Sequence, residues 1–329
     1  MMKLSVMLRV DGVIDDEGRS RVAERMLEQW AHEPGSERFF RSSANFVYSF
    51  RRGDERCFLR FAERGERSAE EIEAELALLR WLARQGMRVA APIASDRGRW
   101  VETVETDLGT FHAVVFTALH GAQPEVDELS AAQFEQWGAT LGQLHATMRQ
   151  FHDSQAIAAR RACADALALA RAAASHDEPC VQTECEQLSA WLAALPATAT
   201  NYGLIHGDFE LDNLFWQDDG TDIAMLDFDE CSHCWYVADI AFALRDLFET
   251  GVDLSDPSFG AFMRGYARHV AVDEDLLAQL PTWMRLVNLI MYGKLMRAMD
   301  VTPGPDDPEW AVPLVARLRQ RMDDYKASL

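Results

Sequence analysis

Basic charge is scarce in this chain: 32 Lys and Arg stand against 53 Asp and Glu over 329 residues, for a net charge of −21. Phosphate backbones and anionic membrane surfaces ask for clustered cations, so neither nucleic acid nor a membrane is an expected partner. Long apolar runs are missing too. No stretch reaches the roughly 18 apolar residues of a membrane helix. The opening MMKLSVMLRV is broken by Arg9 and followed by acidic residues, so no secretory signal is expected and the cytoplasm is the expected location. The six cysteines (Cys57, Cys163, Cys180, Cys185, Cys231, Cys234) are too few in so long a chain to suggest a disulfide framework, and reduced thiols are expected. Cys231 and Cys234 form a single C-x-x-C without a second pair, and Cys180 and Cys185 have the wrong spacing, which argues against a zinc site. Internal repeats, low-complexity linkers and a G-x-G-x-x-G loop are absent, and oligomeric state is not legible.

What is present suits two lobes. Residues 19–32 place Val22, Met26, Leu27 and Trp30 on one helical face. Asn45–Phe50 and Arg56–Phe61 flank a Gly53-Asp54 turn as a hairpin, with Trp100–Val104 and Phe111–Phe116 available as further strands. Between them Ser68 and Glu71 make a capping box for a long helix that ends at Gly86. After residue 118 the chain turns helical. Ser130 and Gln133 cap one helix, an alanine-rich helix is expected over roughly 154–175, and another over 181–195. Further helices are expected over Val237–Phe248, after Asp256 and Pro257, across Asp273–Met299 with Pro281 opening the second of a pair, and over about 310–326. Met284, Met291, Met296 and Met299 repeat at helical spacing and read as core. The expected fold is therefore α+β, with a small antiparallel-sheet N-terminal lobe (1–118) carrying one long helix and a larger, mostly helical C-terminal lobe (119–329).

Chemistry concentrates in Leu204–Glu230, where His206, Asp208, Asn213 and Asp227 fall within 22 positions between apolar, strand-like runs. Phosphoryl transfer leaves a protein little covalent work and asks mainly for positioning and charge neutralisation. One carboxylate must take the acceptor hydroxyl's proton, while an Asn oxygen and a second carboxylate hold the Mg²⁺ that bridges the phosphates. Asp208 and Asn213 have the D-x-x-x-x-N separation, and Asp227 follows on the next strand after an Asp218-Asp219-Gly220 turn. His206 reads as a scaffold that fixes the loop. His145 reads as structural, Asp239 as a helix cap or a buried acceptor for loop N–H groups, and Arg245 with Asp246 as a solvated or paired turn.

LIHGDFELDNLFW followed by IAMLDFDE resembles the aminoglycoside phosphotransferase and choline kinase superfamily, with its H-G-D-x-x-x-x-N and hydrophobic-D signatures. Leu141–Met148 (LGQLHATM) resembles that family's L-x-x-L-H helix, VADIAFALRDL resembles the helix after its metal aspartate, and the likeness runs from about Ser42 to Leu247. It implies a protein-kinase-like fold and an ATP- and Mg²⁺-dependent phosphotransferase. Asp208 becomes the catalytic base, Asn213 and Asp227 the metal ligands, and Asp229, expected on the same strand face as Asp227, a possible contact to a second ion. The resemblance also implies a basic strand residue on the nucleotide phosphates with a helix glutamate beside it, positions that fall on Arg60 and Glu75, with Glu71 as the alternative partner. Arg60 departs from the usual lysine. Arg41–Asn45, with Ser43 and Asn45, stands where a phosphate-covering loop belongs, and main-chain groups of Thr117 and Leu119 are expected to meet the adenine edge.

Glu210, Asp212, Asp229 and Glu230 crowd acidic groups near the base. They suggest a cationic or zwitterionic acceptor: an aminoglycoside, an amino alcohol, or a hydroxy amino acid such as homoserine. Eleven residues between Asp227 and Asp239 are too few for an activation segment, which favours a small molecule over a protein Ser/Thr kinase's substrate. A catalytically silent, kinase-shaped nucleotide-binding or scaffold protein is the alternative from another class. Its mark would be loss of the base, the asparagine or the metal aspartate, and all three are present.

Overall fold

The structure is a computed structural model that describes residues 1–174, 178–217, 222–249, 251–305 and 307–328. The Asp218-Asp219-Gly220 turn lies outside the described residues. The chain forms two compact units, one chiefly of Met1–Leu76, Ala91–Ala118 and Met291–Ala327, the other chiefly of Ala77–Ala90 and Leu119–Ile290. Both draw on separate stretches of chain, whereas the sequence reading divides it once, near 118.

The first unit opens with a helix the sequence reading did not contain, α1 (Leu4–Asp11), which buries Leu4, Val6, Met7 and Val10. Then comes α2 (Arg21–Leu27), shorter than the expected 19–32, its N-terminus capped where Val22 N–H donates to Ser20 Oγ at 3.3 Å. An extra strand, β1 (Arg38–Ser42), precedes the expected hairpin of β2 (Phe46–Arg52) and β3 (Glu55–Glu63), whose turn uses Gly53 at φ +62°. The helix α3 (Ala69–Arg84) begins at the expected capping box: Ser68 N–H donates to Glu71 Oε2 at 3.0 Å and Glu71 N–H to Ser68 Oγ at 3.2 Å. Next are β4 (Pro92–Ile93), β5 (Glu102–Thr106) and β6 (Gly109–Thr117). The antiparallel sheet runs β1-β2-β3-β6-β4, with β5 also on β6. Alternation sends Phe46, Tyr48, Phe50, Leu59, Phe61, Phe111 and Val115 to one face, where α1, α2 and Trp30 cover them. Burying each large side chain there is worth about 2 kcal/mol. Arg60, opposite Val47 and Val114, faces the other way.

The second unit begins with α4 (Ala131–Met148), whose Ser130–Gln133 capping box is complete. The alanine-rich stretch does not form one helix. It breaks into α5 (Ser154–Ala158) and α6 (Cys163–Ala173), because the backbone between them is taken by a distant partner: His233 N–H donates to Arg161 O at 2.8 Å, and Ala162 bridges His233. Alanine's local helix preference loses to that pairing. Then follow α7 (Pro179–Ala194), β7 (Tyr202–Ile205), β8 (Leu214–Trp216), β9 (Ile223–Met225), β10 (Ser232–Trp235), α8 (Tyr236–Ala243), α9 (Pro257–Tyr266), α10 (Glu274–Leu277) and α11 (Leu280–Ala298), which reaches into the first unit, where α12 (Ala311–Ala327) ends the chain. The glycines of α4 have a packing reason. A Cβ at Gly138 would lie 1.9 Å from Phe262 O and one at Gly142 2.6 Å from Tyr266 O, so α4 and α9 cross backbone to backbone. Among the described residues no helix is long and apolar enough to cross a membrane. Of the methionines read as core, Met284 is buried, while Met291, Met296 and Met299 are half-buried.

Candidate active site

In the second unit two short antiparallel ribbons present the chemistry. β7 pairs with β10 and β8 with β9, so the turn after β7 and the turn after β9 are drawn together. The join is specific: Leu226 N–H donates to Asn213 O at 3.0 Å, and Gly207, at φ +78°, lies where a Cβ would stand 2.5 Å from Glu230 O. A side chain at 207 would therefore be strained by its backbone and blocked by the second turn.

Within the first turn Asn213 closes back on Asp208. Its Nδ2 donates to Asp208 O at 2.9 Å and to Asp208 Oδ2 at 3.0 Å. Both amide hydrogens are then engaged, which leaves the Asn213 Oδ1 as the group available to a cation. Asp227 precedes a short 3-10 turn, Phe228–Glu230, and has a φ of 65°, the one left-handed non-glycine among the described residues. Such a backbone costs on the order of 1 kcal/mol or more and is kept where the surroundings require it. The turn also corrects an expectation. Asp229 does not share a strand face with Asp227, because residues 228–230 are coiled rather than extended.

Asp239 holds the turn in place. It belongs to the first turn of α8, where Trp235 is the N-cap, and its carboxylate accepts from His206 N–H and Gly207 N–H, each at 2.8 Å. Of the two roles open from sequence, buried acceptor is the one it fills. His145 Nε2 donates to the same carboxylate at 2.9 Å, and its Nδ1 lies 2.9 Å from the hydroxyl of Tyr266 on α9. Burial would push Asp239 up, but the His145 hydrogen bond and charge, with help from His206 and Gly207, hold it below its ordinary value. His206 is fully buried, and that burial pushes its pKa down. As a neutral ring it donates from Nε2 to Leu226 O at 3.1 Å, which suits a scaffold tying the two turns together.

The acidic crowd is partly neutralised. Glu210 pairs with Arg245, which is therefore neither simply solvated nor paired only to its neighbour Asp246. Burial and the charge of Asp208 push Glu210 up to about 7, against the pull of Arg245. The Asp212 main-chain oxygen accepts from Gln123 Nε2 at 2.6 Å, and its side chain is exposed. Asp229 and Glu230 are half-buried in the 3-10 turn. The sequence reading missed Tyr266 and the Glu210–Arg245 pair. Both contacts cross tens of residues, and no local spacing signals them.

In the first unit Arg60 Nη2 donates to Glu75 Oε2 at 2.7 Å, with the two residues 8% and 0% exposed, and the guanidinium lies 5.0 Å from the Phe116 ring centroid. Glu71, the alternative partner, is committed to the α3 cap. The Ser43–Asn45 turn joins β1 to β2, with Asn45 buried. It is held from α1 and the residues before it: Met2 N–H donates to Ser43 O at 2.8 Å, and Ser42 Oγ donates to Asp11 Oδ2 at 2.5 Å. Thr117 N–H is already taken by Ala91 O at 3.0 Å, so that backbone donor is not open to a nucleobase. Leu119 is half-buried just beyond β6. Among the described residues no group of three or more His, Cys, Asp and Glu gathers as metal ligands, and Cys231 and Cys234 are buried free thiols.

Known proteins resemble this chain in sequence and in fold. The model of the phosphotransferase enzyme family matches residues 36–280. An amicoumacin kinase of Bacillus subtilis (strain 168) is 26% identical over 282 residues, which cover 83% of each chain. A solved amicoumacin kinase, in complex with AMP-PNP, Ca²⁺ and Ami, superposes with a TM-score of 0.77 at 24% identity, over 96% of this chain and 95% of that one. The structure of a microcompartment-associated aminopropanol kinase gives a TM-score of 0.70 at 21% identity, over 93% of this chain and 95% of that one. The fold is thus the expected α+β, protein-kinase-like one.

Proposed function

We propose, for a chain that belongs to the phosphotransferase enzyme family, that it is a small-molecule kinase moving the γ-phosphoryl group of ATP to a hydroxyl of a small acceptor with the help of Mg²⁺. The observation that carries this reading is the closed Asp208–Asn213 turn, anchored by Asp239. A carboxylate fixed to within a hydrogen bond of its neighbours is what a general base needs, since geometry precedes pKa in proton transfer.

Asp208 takes the proton of the acceptor hydroxyl as the hydroxyl oxygen attacks the γ-phosphorus, the bond from that phosphorus to the bridging oxygen breaks, and ADP leaves. Asn213 Oδ1 and the Asp227 carboxylate would hold the divalent ion. Both are hard oxygen donors of the kind Mg²⁺ takes. When bound, the ion supplies charge neutralisation on the phosphates. Arg60, kept in place by Glu75, is assigned to the nucleotide phosphates, with Ser43 and Asn45 covering them. The base edge is assigned to main-chain groups of Thr117 and Leu119, although the Thr117 N–H is engaged by Ala91 O. The first unit thus takes the nucleotide role, and the second the catalytic and acceptor role.

The acceptor is read as cationic or zwitterionic. With Glu210 engaged by Arg245, that reading leans on Asp212, Asp229 and Glu230. The test is Asp208→Asn in a coupled ADP-release assay over amino alcohols, amino acids, sugars and aminoglycosides. Turnover is expected to fall by about three orders of magnitude. Mg·ATP should still raise the melting temperature as it does for the parent chain. Unchanged turnover in the variant would remove Asp208 from the role. A parent chain that Mg·ATP does not stabilise would favour the scaffold alternative.

A further inference from the structure

Arg160 sits in the break between α5 and α6 and is only 8% exposed. Its Nε and Nη2 have no hydrogen-bond partner among the described residues. An acid or a histidine in that position could shed its charge, but a guanidinium stays protonated under all conditions a protein meets. A buried charge without a counterion is among the most costly features a core can hold. Asp165, the acid nearest in sequence, is already accepting from Ala162 N–H at 2.9 Å. The guanidinium is therefore built into the interior with its Nε and Nη2 donors unspent among the described residues.

The position of the break says what those donors could meet. Ala162 and His233 form a parallel bridge, His233 N–H donates to Arg161 O at 2.8 Å, and the His233 ring lies 3.1 Å from Ile157 O. The segment with Arg160 thus runs beside the chain that leaves the Phe228–Glu230 turn directly after Asp227. Two residues before the bridge on each side stand Arg160 and Cys231, the neighbour of Glu230.

We propose that Arg160 binds an anionic oxygen group of the acceptor, a carboxylate or a phosphate ester. This rests on the reading of Asp208 as the base for a small hydroxylated acceptor, and it narrows that acceptor from cations in general to molecules carrying a negative group as well. A planar guanidinium fork matches such a group with two parallel hydrogen bonds. Asp229 and Glu230 are then left to meet the amine of a zwitterion.

The test uses matched pairs that differ in the anionic group alone: L-serine against ethanolamine, L-homoserine against 3-amino-1-propanol, and glycerol 3-phosphate against glycerol. Binding of each to the full chain is measured by calorimetry in the presence of Mg·AMP-PNP, for the parent and for Arg160→Met. At least one anionic member should bind the parent tenfold or more tightly than its partner, and Arg160→Met should erase that preference. The first two pairs against the third separate carboxylate from phosphate. Unliganded Arg160→Met should melt at or above the parent temperature, because it removes a charge that no described residue pairs. A large drop in melting temperature would mark Arg160 as structural and overturn the proposal, as would equal binding within all three pairs. ADP release with cationic acceptors that persists in Arg160→Met, without any anionic preference in the parent, sinks this proposal and leaves the kinase reading standing. Loss of Mg·ATP-dependent turnover with every acceptor in the parent sinks both.

Discussion

Two turns carry the proposed chemistry, and each is held by a carboxylate, fully buried at Asp239 and half-buried at Asp11, but the two are in opposite electrostatic situations. Asp239 accepts from His206 N–H, Gly207 N–H and His145, and those donors hold it ionised against its burial. Asp11, which holds the β1–β2 turn, receives Ser42 Oγ on one oxygen, while its Oδ1 meets no donor among the described residues. Burial then wins, and Asp11 is pushed up to about 6. The number of donors decides whether a buried acid is a fixed anion or a titrating one. The Asp208–Asn213 turn rests on the former, the glycine-poor turn of the first unit on the latter.

Breaking the stronger anchor should have the larger effect. Asp239→Ala leaves the N–H groups of His206 and Gly207 and the His145 ring without their acceptor in a fully buried site. At about 1–3 kcal/mol for each buried donor left unsatisfied, the loss of stability should reach about 4 kcal/mol. Urea unfolding measures it, and kcat should fall further than the affinity for nucleotide. A loss below about 1 kcal/mol would mean that the turn holds itself and that the contrast between the anchors is only apparent.

Arg60→Lys tests the first unit at a smaller scale. The charge beside Glu75 is kept, so folding should survive, but a point charge replaces a fork that now serves Glu75 and lies against Phe116. The expected outcome is a rise in KM for ATP of about tenfold, equivalent to roughly 1.4 kcal/mol, with kcat changed less. An unchanged KM would remove Arg60 from the phosphates.

What could be read beforehand follows the same division. The placement of Asp208, Asn213 and Asp227 on two adjoining turns was legible because their relation is local, five residues along one turn and one ribbon further on. The capping boxes at Ser68 and Ser130 were legible for the same reason, whereas the Arg60–Glu75 pair was expected only through the family resemblance, with Glu71 as the alternative. The features that stayed hidden depend on distant partners. In α1, Val6, Met7 and Val10 are buried in a core shared with a sheet that begins tens of residues later. The break at Ala159–Ala162 runs against a strong alanine preference because His233, some seventy residues on, needs the Arg161 carbonyl. Glu210 reads as a free acid until Arg245 folds back on it.

The smallest effect, and the sharpest test of the contrast, is in the pH dependence of stability. Asp11 has an ordinary value of 3.8 and a folded value of about 6, so between roughly pH 4 and pH 6 the folded state binds more protons than the unfolded one. Its contribution to stability must therefore decline as pH rises through that window and level off above it. Asp239 has the opposite sign. Its folded value lies below 3.8, so its contribution is present above that pH and is lost as pH falls through the lowered value. The two windows do not overlap, which lets one substitution isolate one anchor. Glu210 is also raised, so the parent curve alone is ambiguous, but the difference between the parent and Asp11→Asn is not. Unfolding free energies at pH 4.5, 5.5 and 7.5 should show the variant gaining on the parent as pH rises, to about 2 kcal/mol at pH 7.5. Parallel curves would mean that Asp11 titrates at its ordinary value and that both turns rest on fixed anions after all.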